Sequence, residues 1–286
     1  MATGSPTVRR RRLGSELKRL REEAGKSRDE VAGVLGMSVP TISRIEAGRT
    51  GVRLFVVRAM LDLYGVADEG LREELEGHAR AGSRQGWWSQ YASAVNSGYA
   101  TYIGLEADAR EVRDYEALVV PGLLQTEAYA RATVQPVGLP DLPGDVVEQR
   151  VRVRMERQQR LRGEAPLEIR AIIDEAVIRR VVGGRHVMRE QLKRLAEEAR
   201  RPNVRLQVVP FAGGAEWPGM IGSFTILSFP EHADPDVVYV EGLTGDTFVE
   251  GDATARYSVL FDGLSAAGAS YAESLRMIEE AAEALA

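Results

Sequence analysis

The chain has 286 residues, 44% hydrophobic and 28% charged; this ordinary globular composition, long enough for about two domains, excludes a wholly disordered or fibrous chain. With no cysteine and only His78, His186 and His232, disulfides, thiol catalysis and Cys/His zinc centres lack their ligands, and no apolar run approaches the about 18 residues of a membrane span. The net charge of −5 hides an asymmetry: residues 1–65 hold thirteen Lys/Arg against seven Asp/Glu, a net +6, leaving −11 for residues 66–286. One part of the chain is suited to a polyanion and the other would be repelled by it.

Arg9 to Arg12 open the chain as a basic run. It reads either as an arm that follows a nucleic-acid backbone or enters a minor groove, or as a solvated tail. No apolar stretch follows it, so the expectation is a cytoplasmic protein with no secretory signal. Leu13, Leu17 and Leu20 then recur at helical spacing, and Gly25 follows as a stop. Ser27 caps a second helix with Glu30 in capping-box position; its apolar residues are Val31, Val34 and Leu35, and Gly36 ends it. Ser38 caps a third helix with Val39 and Pro40 in the first turn, Ile42 and Ile45 facing inward and Gly48 as the stop. A fourth helix spans about Leu54 to Tyr64, one more runs from Asp68 to Ala81, and Gly82-Ser83-Arg84-Gln85-Gly86 reads as a linker. The domains expected are 1–82 and 87–286.

Beyond the linker, residues 87–115 concentrate Trp87, Trp88, Tyr91, Tyr99, Tyr102 and Tyr115. A turn interrupts the apolar run Val119–Gln125, and Asp145 to Leu161 reads as an amphipathic helix rich in arginine. Leu167–Ile173 and Val204–Val209 read as strands around the helix Glu190–Arg200, a crossover that favours parallel pairing. Ser223–Phe229 and Val237–Glu241 read as two further strands joined by a Pro/Asp loop, and Ala253 to Ala286 as two helices broken near Gly268. The fold class expected is α+β multidomain: an all-α helix-turn-helix domain, then a mixed α/β domain with C-terminal helices.

Residues 28–47 meet the constraints of a helix-turn-helix together. Ala32 sits where the two helices cross, Gly36 takes the turn, and Ile42 and Ile45 plug the angle between them, with Val31 and Leu35 completing the small core. So short a turn forces a steep crossing, which leaves the helix from Ser38 projecting outward with a diameter that fits the major groove of B-DNA. The bland alternative, a helical hairpin in any small all-α domain, explains one matched position better than five.

On these residues, with Ser27-Arg28-Asp29-Glu30-Val31-Ala32 and Ser38 to Gly48 as its motif, residues 13–64 resemble the XRE (Cro/repressor-type) helix-turn-helix family. The remainder, through Val120-Pro121-Gly122-Leu123-Leu124-Gln125-Thr126 and Tyr129-Ala130-Arg131-Ala132, resembles the C-terminal domain of actinobacterial WhiJ-type regulators. The resemblance implies a transcriptional regulator that binds double-stranded DNA, and a small BldB-like partner protein.

In such a fold the first turn of the third helix reads bases, which makes Ser38, Val39, Thr41, Ser43 and Arg44 the candidates. Arg44 is placed to pair with a guanine, and Val39 or the Thr41 methyl to touch a thymine methyl. A phosphate contact, or a pair with Glu46, is the competing role for Arg44. Arg28 stands where members of the family it resembles usually carry a polar amide; the departure is compatible with a phosphate contact there and counts against direct base reading. Arg49 and Arg53 complete the DNA-binding set, and the helix N-terminus at Ser27 is a candidate phosphate site. One reader covers few base pairs, so a homodimer is expected.

Other chemistry is thin. Ala24-Gly25-Lys26-Ser27 ends like a phosphate-binding loop, but Leu20 stands where that motif needs glycine and no strand precedes it. The acidic groups Asp174-Glu175, Asp234/Asp236 and Glu241/Asp246/Glu250/Asp252 read as strand-end and cap residues rather than a cation site, and His186 and His232 as surface or loop residues. No catalytic, metal or cofactor residue is assigned and no enzyme activity is expected. Trp87, Trp88, Tyr91 and Tyr102 are candidates for a small-molecule effector pocket or a protein contact, with core packing the alternative. A second role compatible with the sequence is an antitoxin-like module that binds a small neighbouring-gene protein and regulates its own promoter.

Overall fold

Helix α1 runs from Pro6 to Glu23 in the computed structural model, which describes residues 6–82, 86–134, 142–213, 222–230, 235–242 and 244–286. After it come α2 (Arg28–Leu35), α3 (Val39–Glu46), α4 (Leu54–Leu63) and α5 (Glu69–Gly82). These belong to the first of two units, Met1–Ser89 and Gln90–Ala286, and a short 3-10 turn, Trp87–Tyr91, spans the boundary. Residues 83–85 of the linker lie outside the described residues.

The apolar spacing along α1 to α5 closes on one core. Leu13, Leu17, Val31, Ala32, Ile42, Ile45, Val57, Met60, Leu61 and Leu75 are all buried in it. Each such leucine or isoleucine contributes about 1.5–3 kcal/mol by leaving water, and this burial holds together helices too short to persist alone. Arg9 to Arg12 are not a disordered tail. They form an early part of α1, because Val8 and Leu13 share its buried side. Their polar ends are engaged as well: Arg9 Nη1 lies 3.1 Å from His78 Nδ1, and Arg10 Nε donates to the Gly82 carbonyl at 2.5 Å.

In the second unit α6 (Ser97–Glu106) precedes β1 (Glu111–Glu116). A 3-10 turn at Gly122–Leu124 leads to α7 (Glu127–Val134) and α8 (Gly144–Arg157), which a second 3-10 turn, Gln158–Leu161, extends. Then follow β2 (Glu168–Asp174), α9 (Glu175–Arg179), α10 (Arg185–Glu198), β3 (Val204–Val209), β4 (Phe224–Ser228), β5 (Val237–Val240), β6 (Thr247–Val249), α11 (Thr254–Ala267) and α12 (Tyr271–Glu283). The sheet order is β3-β2-β1-β4-β5-β6. β1 to β3 are parallel and β4 to β6 antiparallel, so the expected parallel pairing and the β4–β5 pairing are both present.

Strands β1 and β6 are additions to the sequence reading. In β1 the buried positions include Asp114, so the period-2 apolar signal is broken by a carboxylate. One side of the sheet places Tyr115, Ile172, Phe224, Ile226 and Val238 against Leu260, Phe261 and Leu264 of α11. On the other, Thr225 donates to Asp114 at 2.8 Å and Tyr239 packs on Tyr102 of α6. Among the described residues no helix is long and apolar enough to cross a membrane.

Candidate nucleic-acid interface

The turn between α2 and α3 is set by three residues. Gly36 adopts φ 63° and ψ 32°, left-handed backbone that a β-carbon disfavours, and ends α2 there. Ser38 caps α3: its Oγ accepts from the Thr41 amide at 3.3 Å, and Pro40 stands where no amide bond is lost. Val31, Ala32, Ile42 and Ile45 bury the angle between the helices, as their spacing requires.

With Ile42 and Ile45 inward, α3 turns Pro40, Ser43 and Arg44 to solvent. Ser38 Oγ lies 2.8 Å from Thr41 Oγ1, and Arg44 Nη2 donates to the same Thr41 oxygen at 3.3 Å. Three of the residues expected to read bases therefore form one hydrogen-bonded chain along the exposed side of α3. Val39 divides its surface: it is half-buried and packs against the core, so only part of it faces outward. Arg49 and Arg53 are exposed just beyond α3, and Arg53 begins α4.

Glu46 does not pair with Arg44. It is the acid of α3, buried at 6% exposure, and it accepts from Arg21 Nε at 2.6 Å, Arg21 Nη2 at 3.2 Å and Arg28 Nε at 2.8 Å. Burial alone would raise its pKa, but the bonds from Arg21 and Arg28 outweigh that and hold the carboxyl below its ordinary value. With Glu46 committed inward, the outward side of α3 carries Arg44 and no acid of its own.

The N-terminus of α2 carries a capping box with its own carboxylate. Ser27 Oγ accepts from the Glu30 amide at 3.2 Å while Glu30 Oε2 accepts from the Ser27 amide at 2.7 Å. The Ser27 amide, donating to the Glu30 carboxyl, is the main cause that lowers its pKa, and the resulting negative charge stands where a phosphate was expected. Arg28, one residue beyond the cap, is the cation at this corner.

Three contacts in this unit gave no sequence signal. A β-carbon on Gly14 would stand 2.6 Å from the Glu46 carbonyl oxygen and closer still to that of Ile45, so α1 and the end of α3 approach with no room for a side chain. Gly48, at φ 64°, would meet the Arg11 backbone at 2.6 Å. The spacing of 25 residues between Arg21 and Glu46 belongs to no helical or strand period, which is why the pair was missed.

The aromatic candidates fall into both units. Trp87 and Trp88 belong to the first, edge to face at 5.9 Å with Trp88 buried. In the second, Tyr91 donates to Glu156 at 2.5 Å. Tyr102 is buried, donating to Glu106 at 2.9 Å, accepting from Arg157 at 3.2 Å and packing on Tyr239 at 4.4 Å between centroids. Of the acidic groups, Asp174 caps α9 through the Ala176 amide and Glu175 bonds the Phe211 amide, while His232 and Asp234 lie outside the described residues. Among the described residues no His/Asp/Glu group is arranged to hold a metal ion.

A family model described as a domain of unknown function (DUF5753) matches residues 99–280, well over half of the chain. The chain belongs to the DUF5753 family. In this DUF5753 protein a second model, described as a helix-turn-helix domain, matches residues 12–75, which take in α2, α3 and the Arg21–Glu46–Arg28 cluster. Neither the curated proteins nor the solved structures compared with it gave a match. The helix-turn-helix match and the capped, outward-facing α3 together support a DNA-binding regulator.

Proposed function

We propose that this DUF5753 protein is a sequence-specific transcriptional regulator of the XRE type, akin to the actinobacterial WhiJ-like regulators. It acts as a homodimer, with α3 in the major groove. Arg44 reads a base, Ser38 and Thr41 brace it, and Arg49 and Arg53 meet the backbone. The second unit serves dimerisation and recognition of a signal or a small partner protein, and the reading gives it no catalytic step. What carries the proposal is the exposed chain Ser38–Thr41–Arg44 on a helix whose own acid is turned inward. Basic residues concentrated in residues 1–65 supply the sequence-independent attraction.

The test is selection of duplexes from a random pool by the full-length chain, followed by titration of a selected and an unselected duplex over a range of salt. A selected duplex should bind on the order of 10³-fold more tightly than random DNA, and affinity should fall steeply as salt rises. A chain that enriches no sequence, and binds all duplexes alike, overturns the reading.

A further inference from the structure

Arg28 is tied to a buried oxygen although nothing about its own burial demands it. Its side chain is 39% exposed, whereas that of Glu46 is 2% exposed and already neutralises the buried Arg21 through two bonds. A half-exposed arginine left alone would sample many rotamers in water. Bonded through Nε to Glu46, it has one, and the remaining guanidinium N–H groups are left to meet another acceptor.

The surroundings indicate what that acceptor is. Arg28 is the first residue of α2, where the capping box occupies the amides of Ser27 and Glu30. An anion arriving at this corner meets the Arg28 guanidinium. The corner is also fixed relative to the reading helix, because Glu46 is the last residue of α3. Glu46 thus couples the place of α3 to the place of one cation on α2.

We propose that Glu46 is a positioning residue for DNA binding: it holds the Arg28 guanidinium in place to meet a backbone phosphate while α3 lies in the groove. The proposal rests on the reading of the chain as a DNA-binding regulator. Preorganising the cation before DNA arrives removes the cost of ordering it on binding. Lysine at position 28 would keep the charge but could not both hold Glu46 and present a free planar fork.

The test measures affinity against salt for a selected duplex with full-length wild type, R28A, R28K, E46Q and E46Q/R28A, each well below its own melting temperature. R28A should reduce the magnitude of the log–log salt slope by about one unit, the signature of one lost phosphate contact. E46Q should reduce it by the same amount, and R28A should cost nothing further in the E46Q background. R28K, which keeps the charge but cannot both hold Glu46 and present a fork, should bind the selected duplex more weakly than wild type. If R28K matches wild type, or R28A keeps its full effect in the E46Q background, the charge of Arg28 acts without Glu46 and the proposal is wrong. A merely structural role for Glu46 would lower melting temperature while leaving the slope unchanged. Absence of salt-dependent duplex binding by wild type would instead count against the regulator reading itself.

Discussion

Arg157 reaches Glu106 through two nitrogens, Nε to Oε1 at 2.7 Å and Nη2 to Oε2 at 2.5 Å, with both side chains almost wholly buried. Tyr99 and Tyr102 complete the group: each hydroxyl accepts from Arg157, and both rings lie near its guanidinium. The carboxylate and the guanidinium have left water together, so each depends on the other. Replacing Arg157 by methionine leaves Glu106 charged and unpaired, which costs about 3–5 kcal/mol of stability. Urea denaturation of the R157M variant checks this. Replacing Glu106 by leucine in the R157M background should recover much of the loss, since no charge is then stranded. A double variant as unstable as R157M would show that packing, not charge, decides the site.

Gly14 makes a second point about close approach. A β-carbon there meets backbone carbonyl oxygens of Ile45 and Glu46, atoms that cannot swing aside as a side-chain tip can. Gly14→Ala should therefore push α3 away from α1 and cost about 1–3 kcal/mol, despite alanine's better helix propensity. The comparison is Gly33→Ala on the exposed side of α2, where a β-carbon meets nothing within 4 Å. Thermal melting should rank G14A well below wild type and G33A at or slightly above it. G14A melting like wild type would refute the clash.

How legible these features were in the sequence follows from their range along the chain. The helix-turn-helix was legible because its signals are local: Ser27 with Glu30 at three residues, Gly36 at a chain reversal, Ile42 and Ile45 at one helical period. Strands β2 and β3 were legible because their apolar positions are dense. Strand β1 was not, because its sequence Glu-Val-Arg-Asp-Tyr-Glu looks like a solvated segment until the sheet and α6 enclose it. Asp114 is supported there by groups far away in sequence, the hydroxyl of Thr225, 111 residues on, and the charge of Arg157. The same holds at the interface. Exposed Arg44 was predictable from helical phase, but the commitment of Glu46 to Arg21 and Arg28 arises where three helices meet, and no spacing rule announces it.

The division of labour among the interface arginines yields a third prediction. Arg44 stands on α3 with its guanidinium braced by Thr41, whereas Arg49 stands exposed beyond the helix. Arg44→Ala should weaken a selected duplex by about 1–3 kcal/mol and relax preference at one base pair. Arg49→Ala should weaken selected and random duplexes by similar factors. Competition titrations against a panel of single-base variants separate the two. Equal losses on selected and random DNA for R44A would remove Arg44 from the base-reading set.

The second unit has a pH dependence whose sign can be worked out. Burial, followed by the charge of Asp114, pushes the Glu116 pKa up to about 8, and burial likewise pushes Asp114 up to about 6. Ser223 and Arg154 pull Glu116 the other way, while Glu241 adds to the rise. A carboxyl with a raised folded pKa keeps its proton in the native state after the unfolded chain has released it. The native state then binds more protons, so stability falls as pH rises through that window. For Glu116 the loss extends from the ordinary carboxylate range to about pH 8, and one full proton difference is worth about 1.4 kcal/mol per pH unit. His78, in the first unit, works in the opposite direction: burial lowers its pKa, so its contribution grows as pH rises through its ordinary value. Comparing wild type with E116Q cancels the His78 contribution, because both proteins carry it, and isolates Glu116, because glutamine is neutral throughout. Urea midpoints for the second unit's transition, measured from pH 5 to pH 9, should decline for wild type between pH 6 and 8. For E116Q they should stay nearly level over that interval, making the variant the more stable of the two at pH 8. Parallel profiles for the two proteins would mean that Glu116 is ionised in the folded state.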